Sequence, residues 1–139
     1  MGLRINAEVD SAIRAHGAET YPDECCGALI GRDGIVTDTL ALPNTTEDGP
    51  RRRFKVRPQD YRAAEGRAGQ LGAELLGFYH SHPDHPAAPS SFDAEHAWPW
   101  YSYLIVRVDR GRAVEATSWQ LAGDRSAMLP EFLDVFHEV

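Results

Sequence analysis

The run Glu74–His82, ELLGFYHSH, constrains this chain more than any other stretch. It is a short apolar segment that ends in two histidines one residue apart and stops at Pro83. Such a run reads as a buried strand. Side chains alternate between the faces of a strand, so His80 and His82 point the same way. The chain must therefore build a sheet around a strand that carries two imidazoles on one face at its end.

The segments on either side supply that sheet. Asn6 can cap a helix from about Ala7 to Glu19, with Val9, Ala12, Ile13 and His16 on one face. Gly27–Gly31 (GALIG) reads as a second buried strand, and Asp33-Gly34 turns it into Ile35–Leu42 as a hairpin. The polar, turn-rich stretch Pro43–Pro50 is a surface loop, and Arg53–Val56 is expected to form a short exposed strand. Pro58 suits the first turn of a helix that runs to about Gln70. After the histidines comes a proline-rich loop, Pro83–Pro89, and Ser90 opens a short helix toward Trp98. Tyr103–Val108 and Ala113–Leu121 form another hairpin, turning at Arg110-Gly111. In the tail, Leu129, Phe132, Leu133, Phe136 and Val139 are spaced for an amphipathic helix, with an edge strand as the alternative because of Pro130 and the β-branched residues. This tail packs on the core or supports self-association. Strands interleaved with helices give an α/β (α+β) class built on a mixed sheet. No repeat or linker divides the 139 residues, which suit a single domain spanning 1–139.

Charge and cysteine usage narrow the function. Fourteen basic against 21 acidic residues give a formal charge of −7, which disfavours phosphate backbones and anionic lipid surfaces as partners. The basic run Arg51-Arg52-Arg53 follows Glu47-Asp48 and reads as a solvated loop. No export signal or membrane span is visible. The only cysteines, Cys25 and Cys26, are neighbours, a poor geometry for a structural disulfide. They read as small buried residues of a reduced, cytoplasmic protein.

The histidine strand is followed, after ten intervening residues, by Asp93 in the pattern Ser90-x-x-Asp93. That interval lets the loop fold back and present a carboxylate from the first turn of a helix, where the positive end favours the ionised form. Two nitrogens and one oxygen leave a tetrahedral ion with one open position, as in a catalytic zinc site. Ser90 and Asp93 also fit a helix-capping pair, and the two readings are compatible. Hydrolysis would need a base as well. Asp84 and His85 lie in the loop after the ligands, and Glu95 and His96 follow Asp93 on its helix, so none of these suits. Glu24, in Pro22-Asp23-Glu24-Cys25-Cys26-Gly27, reaches the histidines only if its strand neighbours theirs. His16, His85, His96 and His137 read as ordinary surface or core histidines.

Pro22-x-Glu24-x-Cys26-Gly27, His80-x-His82-Pro83 and Ser90-x-x-Asp93 together resemble the JAMM (MPN+) metalloprotease family, in particular its small bacterial Mec-like branch. GFYHSHPDHPAAPS and YSYLIV are similar to that branch too, and the likeness runs from about Tyr21 to Leu121. The resemblance implies a mixed sheet flanked by helices, similar to cytidine deaminases. It implies one zinc ion on His80, His82 and Asp93, Glu24 as general base and acid, and Ser90 as hydrogen-bond donor to the oxyanion. It further implies cleavage of a peptide or isopeptide bond after the C-terminal Gly-Gly of a ubiquitin-like or sulfur-carrier protein, for example to remove an attached amino acid such as cysteine. No long insertion follows Asp93, unlike in deubiquitinating members that clamp a second ubiquitin. The substrate tail could add as a strand near Arg53–Val56. Two alternatives stand beside this reading: a non-catalytic MPN scaffold, whose kind typically loses the ligands present here, and a zinc amidase or peptidase acting on small molecules. A zinc deaminase would need H-x-E with P-C-x-x-C, which this sequence lacks.

Overall fold

The computed structural model describes residues 2–44 and 56–137. Its elements run β1 (Leu3–Asn6), α1 (Ala7–Thr20), β2 (Cys26–Arg32), β3 (Ile35–Leu42), α2 (Pro58–Gln70), β4 (Glu74–Pro83), α3 (Ser91–His96), β5 (Ser102–Asp109), β6 (Arg112–Leu121), β7 (Met128–Glu131) and β8 (Leu133–Phe136). The local signals act as the sequence suggests. The Asn6 side chain accepts the Glu8 amide at 2.8 Å and starts α1, while Pro58 opens α2. Both hairpin turns, Asp33-Gly34 and Arg110-Gly111, have positive φ at each position, the twist that matches flanking strands. The expected strand at 53–56 and most of the loop at 43–50 fall outside the described residues, and Val56 itself lies in no strand.

The strands form one mixed sheet in the order β7-β6-β5-β4-β2-β3-β1-β8. The β4–β5, β1–β3 and β1–β8 pairs are parallel and the other pairs antiparallel. α1 covers one face with Val9 and Ile13, packed among Leu29, Tyr79, Leu104 and Val106. α2 covers the opposite face through Ala64, against Ala28, Phe78 and Tyr103. Each such aliphatic side chain withdrawn from water contributes about 1.5–3 kcal/mol. Among the described residues no helix is long and apolar enough to cross a membrane.

The tail takes the edge-strand alternative that Pro130 and the β-branched residues leave open. Instead of the favoured amphipathic helix it forms two short strands, and they lie on opposite margins of the sheet: β7 pairs with β6, β8 with β1. Only Phe132 separates them, at most about 7 Å of chain, so the sheet must curl until its margins meet. The Leu3 amide donates to the Phe132 carbonyl at 2.8 Å at that junction. The apolar spacing that suggested a helix is not a buried stripe, since Leu129 is 53% and Phe132 74% exposed. β1 leaves no signal in the sequence, because its four residues are too few to show a clear alternation.

Candidate metal centre and active site

β4 delivers His80 and His82 to the α2 face, at 1% and 2% exposure. Tyr79 and Ser81, between and beside them, turn to the α1 face, where Tyr79 joins the apolar core. α3 supplies Asp93 from its first turn. Ser90 caps this helix as the motif suggests: its Oγ accepts the Asp93 amide at 3.1 Å, and its own amide donates to Asp93 Oδ2 at 2.9 Å. The same Oδ2 lies 3.2 Å from both His80 Nε2 and His82 Nε2, and these two nitrogens are 3.1 Å apart. Three atoms each about 2.0–2.1 Å from a tetrahedral ion would stand about 3.3 Å from one another. The observed triangle therefore fits one small cation with two nitrogen donors and one carboxylate oxygen.

His82 is oriented for that task. Its Nδ1–H donates to the Pro86 carbonyl at 2.8 Å, which leaves the Nε2 lone pair facing the triangle. The His85 ring stacks on it at 4.1 Å, and His85 Nδ1 donates to the Pro83 carbonyl. His85 thus supports a ligand candidate from the loop. His96 bonds the Phe92 carbonyl, His16 bonds the Tyr79 hydroxyl, and His137 is exposed.

Glu24 reaches the same place by strand pairing. β2 and β4 are antiparallel with Cys26 opposite His80, so the residue two earlier falls opposite His82 and on its face. Two bonds extend the ladder toward it: the Cys25 amide donates to Ser81 Oγ at 2.8 Å, and the Ser81 amide donates to the Cys25 carbonyl at 3.2 Å. Asn44 Nδ2 donates to the Glu24 carbonyl at 3.1 Å. A Glu24 carboxylate oxygen and a ring nitrogen of each histidine lie within 4.8 Å of one another. Glu24 could itself ligate, but the His80–His82–Asp93 triangle is tighter, leaving Glu24 one layer out.

The two carboxyls have opposite electrostatics. Burial pushes Glu24 up to about 8; His82 opposes this and Asp93 adds to it. Burial would raise Asp93 as well, but the charge of His80 and hydrogen bonds from His80, His82 and the Ser90 amide outweigh it, holding that carboxyl far below the usual range. One acid is thus a fixed anion and the other a group able to exchange a proton, a division seen where two carboxyls have different roles.

Sequence reasoning did not find Ser81, the Pro86 carbonyl or the cavity beside the triangle. This cavity of about 300 Å³ has His80 and Asp93 in one wall and Tyr61, Phe78, Trp98 and Tyr103 among the others. Those residues come from α2, β4, the segment after α3 and β5, so no linear pattern links them. The cysteines behave as expected: both are free and buried, and burial raises Cys25 to about 11 and Cys26 to about 12.

Residues 6–122 match the family described as prokaryotic homologues of the JAB domain. A desampylase from Haloferax volcanii is 34% identical over 113 residues, covering 77% of this chain and 81% of that protein. A CysO-cysteine peptidase from Mycobacterium tuberculosis is 29% identical over 127 residues, covering 86% and 82%. The structure of a JAB1/MPN domain protein from Archaeoglobus fulgidus aligns with 96% of this chain and 98% of its own at a TM-score of 0.65 and 19% identity, so the fold is shared. The family match and these relatives agree with the motif: this chain belongs to the prokaryotic JAB (JAMM/MPN+) family and is an enzyme of its metalloprotease type.

Proposed function

We propose that this chain is a zinc-dependent hydrolase that cleaves the peptide or isopeptide bond after the C-terminal Gly-Gly of a ubiquitin-like or sulfur-carrier protein, acting in a reducing cytoplasm. The observation that carries this reading is the triangle of His80 Nε2, His82 Nε2 and Asp93 Oδ2, with edges of 3.1–3.2 Å and the Glu24 carboxyl beside it. Desampylase and CysO-cysteine peptidase relatives favour a protein-tail substrate over a small amide.

His80, His82 and Asp93 would hold the ion. When bound, zinc lowers the pKa of water to about 7 and polarises a carbonyl oxygen. Glu24 takes a proton from the attacking water and returns it to the leaving amine. The water oxygen ends in the new glycine carboxylate as the C–N bond breaks. A positive charge near the histidines favours the ionised, proton-accepting form of Glu24, opposing the effect of its burial. The Ser90 hydroxyl, whose oxygen accepts the Asp93 amide, still has its proton to give to a developing oxyanion.

The test is to incubate zinc-loaded protein with a Gly-Gly-ended ubiquitin-like protein carrying a C-terminal extension, and to weigh the products. Release of the extension by wild type is expected. Glu24→Gln should retain one equivalent of zinc and lose about 10²–10⁴-fold in rate. An uncleaved substrate with zinc fully bound would overturn the proposed substrate class, and full activity in Glu24→Gln would remove Glu24 from the chemistry.

A further inference from the structure

The cavity beside the metal triangle is more than the chemistry above requires. It holds about 300 Å³, near the lower limit for small-molecule sites, and its walls are mostly aromatic or apolar. Phe78 and Tyr103 form its buried floor, at 2% and 7% exposure. Tyr61 packs edge-on against Phe78 with ring centroids 4.8 Å apart. Trp98 adds a further wall, its backbone amide donating to Tyr103 Oη at 2.8 Å. Tyr61 and the Trp98 backbone are thus each held against the aromatic floor, so the cavity is preformed.

From this geometry we infer that the cavity selects the residue released by cleavage, and that this residue is an amino acid with an aromatic or large aliphatic side chain. The inference rests on the proposed cleavage after Gly-Gly. His80 and Asp93 line the cavity, so it adjoins the scissile bond. On the acyl side of that bond stand two glycines, which have no side chain to offer. The nearest side chain able to fill an aromatic pocket is that of the leaving residue. Arg125 adds a second element at the rim. Its guanidinium donates to the carbonyls of Ala97 at 3.0 Å and Glu95 at 3.2 Å and lies over the Trp98 ring. Held there, its charge suits the free carboxylate of a terminal amino acid.

Peptides ending Gly-Gly-X, with X as Phe, Leu, Cys or Ala, separate the possibilities when kcat/KM is compared on the zinc-loaded enzyme. Phe and Leu should exceed Ala by at least about tenfold, and the free acid should exceed its amide. Trp98→Ala, at a site 44% exposed and outside the metal triangle, should lower kcat/KM for Gly-Gly-Phe by at least about tenfold more than for Gly-Gly-Ala, removing the Phe preference. Saturation-transfer NMR with free phenylalanine and alanine gives a readout independent of turnover: phenylalanine should bind wild type and not Trp98→Ala. Rates within twofold across X, or a preference that follows the residue before Gly-Gly, would overturn the inference while leaving the hydrolase reading intact. Failure to cleave any Gly-Gly peptide, with phenylalanine still bound through Trp98, would sink the hydrolase reading and support the cavity as an aromatic side-chain site.

Discussion

The two faces of β4 have different duties. On the α1 face, Tyr79 and Ser81 are packed with Val106, Val108 and Gly17 into an apolar layer. On the α2 face, Phe78, His80 and His82 lead from an aromatic floor to the cluster of donors. One strand of period two thus builds the core and the proposed metal site from alternate residues. The lesson is that stability and activity are separable by residue parity here, and substitutions on the two faces should fail in different ways.

The most severe break is expected from the chemical face. His82→Ala should lose stoichiometric zinc at neutral pH, and activity with it, while folding is retained. Metal analysis that still finds one equivalent would remove His82 from the ligand set. Next comes Ser90→Ala. Loss of an oxyanion donor lowers rates by about 10²–10³-fold, whereas loss of the cap alone costs about 1 kcal/mol of stability with the rate intact. Rate and melting temperature measured together tell which role Ser90 has.

On the core side the effects should be thermodynamic. Gly27 lies opposite Tyr79, and a Cβ there would come within 2.2 Å of the Tyr79 ring. Gly27→Ala should therefore cost about 1–3 kcal/mol in denaturant unfolding, with zinc still bound; an unchanged midpoint would mean the ring moves aside freely. The smallest effect concerns His16, which bonds the Tyr79 hydroxyl at 2.7 Å. Burial lowers its pKa below the ordinary histidine value of about 6.5, against an opposing pull from Glu19. A depressed folded-state pKa means the unfolded chain binds more protons in that range. The stability tied to neutral His16 is thus complete above pH 6.5 and is lost as pH falls below it. Comparing melting temperatures at pH 7.5 and 5.5, the wild type should fall further than His16→Gln; equal falls would show that His16 does not couple protonation to folding.

What the sequence makes legible follows the range of each interaction. α1, α2 and the two hairpins are read correctly because cap, proline and turn signals lie within a few residues of what they control. His80, His82 and Asp93 are legible for the same reason, since one strand end and one loop bring them together. Glu24 is different: its approach depends on β2 pairing with β4, and only the resemblance to a family pointed to it. The cavity is illegible, being assembled from four separate segments. The tail is ambiguous in the sequence: its apolar spacing favours a helix while Pro130 and the β-branched residues fit an edge strand, and the edge strand wins because Leu129 and Phe132 face solvent rather than forming a buried stripe.

The junction at Phe132 has a kinetic consequence. β8 pairs with β1 across 130 residues of sequence, as in the Arg4–Asp134 ion pair. Such a contact costs more entropy to make early than late, because the intervening strands shorten the loop it has to close. The curled sheet is therefore built like a belt, with residues 128–136 as the buckle that joins its two margins. Until the buckle closes, the outer edges of β1 and β6 present bare backbone donors and acceptors, and afterwards the short strands β7 and β8 take over those edges.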